Sequence, residues 1–355
     1  MPLENRISST HSFFFRDVAR SGGGLQEAIR RRGGLDKIRS LAARRNPVVE
    51  IKVTLAADDG KEWIYSIGIS QQNAGRRLPI LAYENVIRDG SDVIKRPDES
   101  DTQDELRRTQ TFLEQINANY AFREIARFFA SIRYLHLVPQ LVRNPTAYRG
   151  PAQASNQSED VHGLSFLDAL AHTTKKTREA RLRAIGKTLS EAVPQLKEFT
   201  FTTDASGVPH LQAIYQHWRP KGAKQQEDQF SDGTLRLLGL FWSLLDGDAP
   251  LLLEEPEISL DTKIVEQLPA LFHQLQRKNR RQIFVTTHSR EMLEDKGIDP
   301  KEVIELIPDI EGTKVQSIAH DVQKLRLIQS GMSATDAVMA SRDSKPMQLQ
   351  LSLQE

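Results

Sequence analysis

Pro250-Leu-Leu-Leu-Glu-Glu-Pro256 is a short, unbroken apolar run that closes on two adjacent carboxylates. A run that is apolar at every position is the pattern of a strand buried on both faces of a parallel sheet. The carboxyl end of such a strand opens on a ligand crevice. Two neighbouring acids at that tip are costly to bury unless a cation neutralises them. Mg²⁺ carried by a phosphate ligand suits them, because it takes oxygen ligands and keeps several of its waters. On this reading Glu254 holds the metal through its water shell and Glu255 orients or deprotonates an attacking water. General-base assistance of that kind is worth about 10²–10⁴-fold in rate. The plainer alternative is a strand end whose acids are solvated.

Two flanking segments extend the pattern. Upstream, Phe230-Ser-Asp-Gly-Thr234 opens an apolar helix expected over 234–245. Ser231 or Asp232 can cap it, and Gly233 lets backbone N–H groups approach an anion closely. Downstream, a helix expected over 264–276 leads to a second apolar strand ending in Val285-Thr-Thr-His-Ser289. A histidine at that tip can hydrogen-bond a terminal phosphate or the attacking water. Read singly, the loop is also a plain helix cap and the histidine a satisfied structural residue. Their order is what gives the three segments weight, since helix, strand, helix and strand in succession imply a parallel βαβ arrangement.

The remaining sequence sets bounds. The 355 residues carry 48 Lys+Arg against 47 Asp+Glu, so net charge argues neither for nor against a nucleic-acid partner. The absence of cysteine excludes disulfides, thiolate metal sites and cysteine nucleophiles. It also fits a reducing compartment, and a cytoplasmic location is the expectation. The richest apolar stretch, 235–245, is short for a membrane span and contains Arg236. Alternation over 48–55 and 61–69 around Asp58-Asp59-Gly60 predicts a hairpin, and 80–86 a further strand. Helical spacing is read over 105–142 and 164–189, a loop over 146–162, and two more strands over 196–202 and 209–215. The expected segments are 1–96, β-rich; 97–195, a helical insert; 196–320, the core with the three motifs; and 321–355, a tail.

Taken together, Phe230–Thr234, Leu251–Glu257, Ile258-Ser-Leu-Asp261 and Val285–Ser289 resemble the signature loop, Walker B strand, D-loop and switch histidine of ABC-type ATPases. The resemblance is to the RecF and structural-maintenance-of-chromosomes-like group of AAA-family ATPases. Arg16 to Gly24 and Arg31-Arg-Gly-Gly34 resemble the segment after the Walker A helix in that group. The resemblance implies an α/β fold, that of a P-loop NTPase-like ABC-type ATPase head with a mixed β subdomain and a helical insert. It implies ATP and Mg²⁺ as cofactors, with Glu255 and His288 catalytic and Glu254 toward the metal. Ser231, Asp232, Gly233 and Asp261 would contact nucleotide. It further implies a head-to-head, nucleotide-dependent homodimer, in which Ser231 and Gly233 meet the nucleotide of the partner protomer.

One part of the pattern is missing from these 355 residues. No Gly-x-x-x-x-Gly-Lys-Ser/Thr loop is present, and the only Gly-Lys-Thr, at 186–188, falls in an expected helix with arginine at the position of the first glycine. Three explanations stay open: a chain shortened at its start, a second polypeptide that supplies the loop, or a non-hydrolysing half that completes a companion's site. The basic stretches 30–45 and 175–187 are candidates for DNA contact, with a solvated charged face as the alternative. An effector protein is a further expected partner. Residues 347–354 alternate as an edge strand or a strand-addition peptide would.

Overall fold

The computed structural model describes residues 9–39, 48–56, 60–72, 77–145, 162–164, 166–218, 222–309 and 312–341; the alternating segment 347–354 lies outside them. The chain forms two compact units. One comprises Met1–Ser259 with Leu275–Thr287 and Ile310–Gly312, and the other Leu260–Gln274 with His288–Asp309 and Thr313–Glu355.

The larger unit begins with helices α1 (Ser9–Ala19) and α2 (Leu25–Arg31), followed by β1 (Val49–Ala56), β2 (Glu62–Gln71), β3 (Pro79–Arg88) and β4 (Ser91–Arg96). These four strands form an antiparallel sheet in sequence order. The hairpin read from alternation is present, with Val49 opposite Ile69 and Ala56 opposite Glu62. Ile51, Val53, Trp63, Tyr65, Ile67 and Ile69 form its buried side, as a period of two demands. They share a core with Phe14, Phe15 and Val18 of α1 and with Phe129 of helix α3 (Arg123–Ser131). Phe15 meets Tyr65 edge-on at 5.0 Å and stacks on Phe129 at 4.9 Å. Leu252 belongs to the same core, with Phe284 packed against it, so the antiparallel lobe and the parallel sheet share one apolar interior.

Further along come β5 (Arg133–Leu135), helix α4 (Pro139–Arg143) and helix α5 (Lys175–Ala192). An antiparallel trio comes next, β6 (Leu196–Thr203), β7 (Pro209–Tyr215) and β8 (Ala223–Gln226). Helix α6 (Asp232–Leu245), β9 (Leu251–Glu254) and β10 (Ile283–Thr286) complete the unit. The expected parallel pairing holds, with Ile283 beside Leu251 and Thr286 beside Glu254. Leu251, Leu252 and Leu253 are all buried, which is what an unbroken apolar run implies. The molecule is α/β, as the sequence suggests.

The continuous helical reading of 105–142 is corrected. The segment contains two 3-10 turns, Glu105–Thr109 and Asn119–Phe122, then α3, β5 and α4. Tertiary contacts override the spacing. The Glu84 carboxylate captures the backbone N–H groups of Phe112 and Leu113, and Asn119 donates to the Leu113 carbonyl at 3.0 Å. Ile116 and Tyr120, apolar residues of the assumed face, are mostly exposed. Three-residue β5 adds to the free side of β9, with Arg133 beside Leu251, and is too short to reveal itself by alternation.

At the opposite end of the parallel strands, Asp246 is clamped by Arg133 and by Arg181 of α5, the latter at 2.8 Å. Arg281 donates to the Ala249 and Ser243 carbonyls at 2.5 and 2.6 Å, and burial pulls its pKa down to about 10. Part of the basic face of α5 is therefore structural, since Arg178 also lies 3.9 Å over the Phe201 ring. Lys175, Lys176, Arg183 and Lys187 stay exposed.

The smaller unit contains β11 (Ile304–Asp309), β12 (Gly312–Ser317) from Thr313 onward, and two short helices, Val322–Gln329 and Ala334–Ser341. Val303, Ile318, Ala334 and Val338 form its core. The Lys324 ammonium is buried against Glu305, with Asp321 3.5 Å away. No helix among the described residues is long and apolar enough to cross a membrane.

Candidate functional site

The loop ahead of α6 is held from several sides. A 3-10 turn, Glu227–Gln229, delivers Phe230, whose buried ring lies edge-on to Phe199 at 6.1 Å. Ser231 is the helix N-cap, in an extended conformation, and its hydroxyl accepts the Thr234 N–H at 3.2 Å. The two hydroxyls of Ser231 and Thr234 are 2.8 Å apart, and either atom can be the donor. If Thr234 donates, the Ser231 proton is free to meet an anion while the cap persists. Gly233 follows in the first turn, where it adds no side chain to screen the helix N-terminus.

Arg143, the last residue of α4, reaches this loop. Its Nη2 donates to the Phe230 carbonyl at 2.6 Å and to Asp232 Oδ1 at 2.6 Å. The segment before it is pressed against α6. A Cβ on Gly239 would come within 1.9 Å of Leu137 Cδ1, so glycine is what permits the approach.

At the tip of β9 the backbone turns sharply. Glu255 has φ +43°, in the left-handed region that a non-glycine residue enters at a cost of about 1–3 kcal/mol. Its N–H still donates to the Thr286 carbonyl at 2.9 Å, so the strained residue is fixed to β10. Glu254 makes no ion pair among the described residues. Glu257 accepts a short hydrogen bond from the Thr287 hydroxyl, while its second oxygen is buried with no hydrogen-bond partner among the described residues. Arg236, one turn into α6, lines a small cavity with Glu254, Leu135, Leu240 and Leu253. Burial pushes its guanidinium below the usual range, against the pull of Asp232 and Glu255, and its buried Nε has no partner among the described residues.

Ser231, Asp232, Gly233, Glu254 and Glu255 thus belong to the larger unit, with Arg236 sensing both Asp232 and Glu255. Asp261 and His288 belong to the smaller unit. Asp261 caps the short helix Thr262–Val265 by accepting the Lys263 N–H at 3.0 Å. After His288, the Ser289 hydroxyl donates to Glu291 at 2.7 Å and accepts the Met292 N–H. The Gly186-Lys187-Thr188 triplet lies inside α5, where it forms no phosphate loop.

Sequence reasoning passed over three residues of this region. Arg236 was the lone charge in an otherwise apolar helix, and that was its signal. Glu257 directly follows the Pro250–Pro256 run and carries no role in the sequence reading. Nothing local marks Arg143, which lies 87 residues from Phe230.

Over residues 12–294 the chain matches the family model described as "AAA domain, putative AbiEii toxin, Type IV TA system". The chain belongs to this family. It is an AAA-domain ATPase by membership, and nucleotide binding is the coarse function that membership carries. No curated protein matches the chain. Among solved structures it is similar to the Smc head bound to the C-winged helix domain of ScpA, at 14% identity and a TM-score of 0.48, over 87% of this chain and 86% of that one. It is similar also to the Pyrococcus furiosus Smc head with an extended coiled coil, bound to the C-terminal domain of ScpA (13%, 0.43, 90% of each chain). The SMC head domain of Thermotoga maritima is a third (11%, 0.37, 78% and 77%). At such identities and scores these likenesses decide nothing; the family match does.

Proposed function

We propose that the chain is an ABC-type ATPase head that couples Mg²⁺-dependent ATP hydrolysis to association with a second protomer or an effector. The observation that carries this reading is the β9 tip. Two half-buried carboxylates end a fully buried parallel strand, the second is held in a strained left-handed turn, and a glycine-bearing helix N-terminus lies in the same unit. Strain of that kind persists where the surrounding structure fixes it, and it concentrates at functional sites.

The acids suit a hard divalent cation, for Glu254 has no cationic partner among the described residues and Glu257 keeps a buried, unpartnered oxygen. No group of three or more protein ligands that could hold a metal occurs among the described residues. A cation here would draw its other ligands from phosphate and water, the usual mode for Mg²⁺. Mg²⁺ when bound would neutralise charge on the phosphates. Glu254 would hold its water shell and Glu255 would orient the attacking water and take its proton; His288 is the candidate group for a terminal phosphate. Ser231 and Gly233 serve the nucleotide of the partner protomer, Asp232 lies in the same loop, and Asp261 is a separate candidate nucleotide contact.

The test is Mg·ATP binding and turnover by the purified chain, with Glu255→Gln alongside. Turnover that falls about 10²–10⁴-fold in the variant, with binding retained, supports the reading. Equal turnover in both proteins removes Glu255 as the base. A second reading, that of a non-catalytic half completing a companion's site, is favoured by the helical setting of the only Gly-Lys-Thr. It predicts no turnover by the chain alone and turnover on addition of a companion that carries the phosphate loop.

A further inference from the structure

The loop that would face a nucleotide carries an acid in an awkward place. Asp232 is the first residue of α6, beside the N–H groups that make a helix N-terminus attractive to anions. Its side chain is 42% exposed. Left alone, that charge would offset the favourable end of the helix dipole and repel a polyphosphate. Arg143 sits against it. A single nitrogen, Nη2, bonds both the Asp232 carboxylate and the Phe230 carbonyl at 2.6 Å, and the guanidinium is itself only 20% exposed.

The base that presents Arg143 is rigid. Pro139 and Val142 of α4 are buried, and Leu137 seats against Gly239 of α6. The same helix therefore receives the preceding chain along its flank and the arginine at its start. Arg236, the other cation sensing Asp232, is drawn toward Glu255 as well and lines the cavity with Glu254. Among the ion pairs of the described residues, Arg143 is the partner that Asp232 has.

We infer that Arg143 is the positioning residue of the 230–234 loop. It neutralises Asp232 and fixes the Phe230 carbonyl, so that the Ser231 hydroxyl and the N–H groups of the first turn are offered to phosphate without a competing negative charge. This rests on the reading of the loop as a nucleotide contact. It adds that the contact depends on a residue of the strand β5 side, distant in sequence, acting through charge.

The experiment uses the full chain and measures Mg·ATP-dependent self-association by sedimentation, together with turnover, over a range of ATP concentrations. Arg143→Ala, Arg143→Gln, Asp232→Asn and the Arg143→Ala/Asp232→Asn double variant are compared, with urea unfolding as a check on folding. Loss of one partner of a partly buried charge pair should raise the ATP concentration for half-maximal response roughly tenfold in Arg143→Ala, with less change in the maximum. Arg143→Gln keeps a donor for the Phe230 carbonyl but not the charge, and should match Arg143→Ala. Adding Asp232→Asn should recover most of the loss, because the charge to be neutralised is gone. A double variant as impaired as Arg143→Ala would overturn the inference, since a purely structural tether is not rescued by removing a carboxylate. So would an unchanged response in Arg143→Ala or a normal one in Arg143→Gln. A wild-type chain with no response to Mg·ATP, alone or with a companion that carries the phosphate loop, would overturn the nucleotide reading itself and this inference with it.

Discussion

The molecule holds two clusters of carboxylates, and they are built on opposite terms. In the antiparallel lobe, Glu84 and Asp101 are buried around Arg96, which pairs with them at 2.9 and 2.6 Å and also donates to the Gln110 and Arg107 carbonyls. Tyr65 and two backbone N–H groups complete the shell of Glu84. Every group there is satisfied from within the protein, and the arginine lies over the Phe112 ring as well. At the β9 tip the acids are half-exposed, one residue is strained, and one buried oxygen has no partner among the described residues. Charge that is closed upon itself fixes the fold, whereas charge left open at a strand end is suited to a ligand.

The contrast is broken most directly at Arg96. Arg96→Ala leaves Glu84 and Asp101 buried without a counter-charge and should cost about 3–5 kcal/mol in urea unfolding. A loss below about 1 kcal/mol would mean the cluster does not hold the lobe together. Next in size is the opposite outcome at the strand tip. Glu254→Gln and Glu257→Gln should leave stability unchanged or raise it by up to about 1 kcal/mol, because no internal cation loses its partner. Glu254→Gln should nevertheless abolish Mg·ATP turnover. A destabilisation as large as that of Arg96→Ala would erase the difference between the clusters.

Acid unfolding sharpens the comparison further. Burial would raise the Asp101 pKa, but its bonds to Arg96 and the Asp98 N–H prevail and hold it at about 2, below the ordinary 3.8. Its stabilisation is present above 3.8 and is lost as the pH falls toward 2. Glu84 acts in the other direction, since burial raises its pKa and protonation favours the folded chain. Asp101→Asn should therefore flatten the fall in stability between pH 3.8 and about 2, read from unfolding midpoints across that window. The smallest effect is expected at His210. Its bond to Glu227 at 2.7 Å raises its pKa above 6.5. That contribution is full below 6.5 and lost as the pH rises through the raised value. His210→Gln should remove this alkaline-side decline and change little else; a decline that persists would place its origin in another group.

Much of this was legible in short stretches of sequence. The β1–β2 hairpin followed from alternation, the buried β9 from an unbroken apolar run, and a cap at Ser231 or Asp232 from polar residues ahead of an apolar helix, of which the structure uses Ser231. The reading of 105–142 as helix failed because Glu84, 28 residues before Phe112, takes up the backbone groups a helix would have used. Arg181 was counted with the basic face of α5 because Asp246, 65 residues away, could not be placed beside it.

What the sequence determined by itself is local in its physics. Periodicity, capping and the order of the motifs are set by neighbours a few residues apart, and these were enough for the α/β class, the parallel pairing of β9 with β10 and the family. Tertiary structure decided the rest: that β5 joins the sheet, that Arg96 closes one set of acids, and that Arg143 stands against Asp232. Those outcomes depend on burial and on charges meeting across as many as 89 positions. Coulombic and hydrogen-bond energies depend on distance in space, and that distance exists only once the chain has folded.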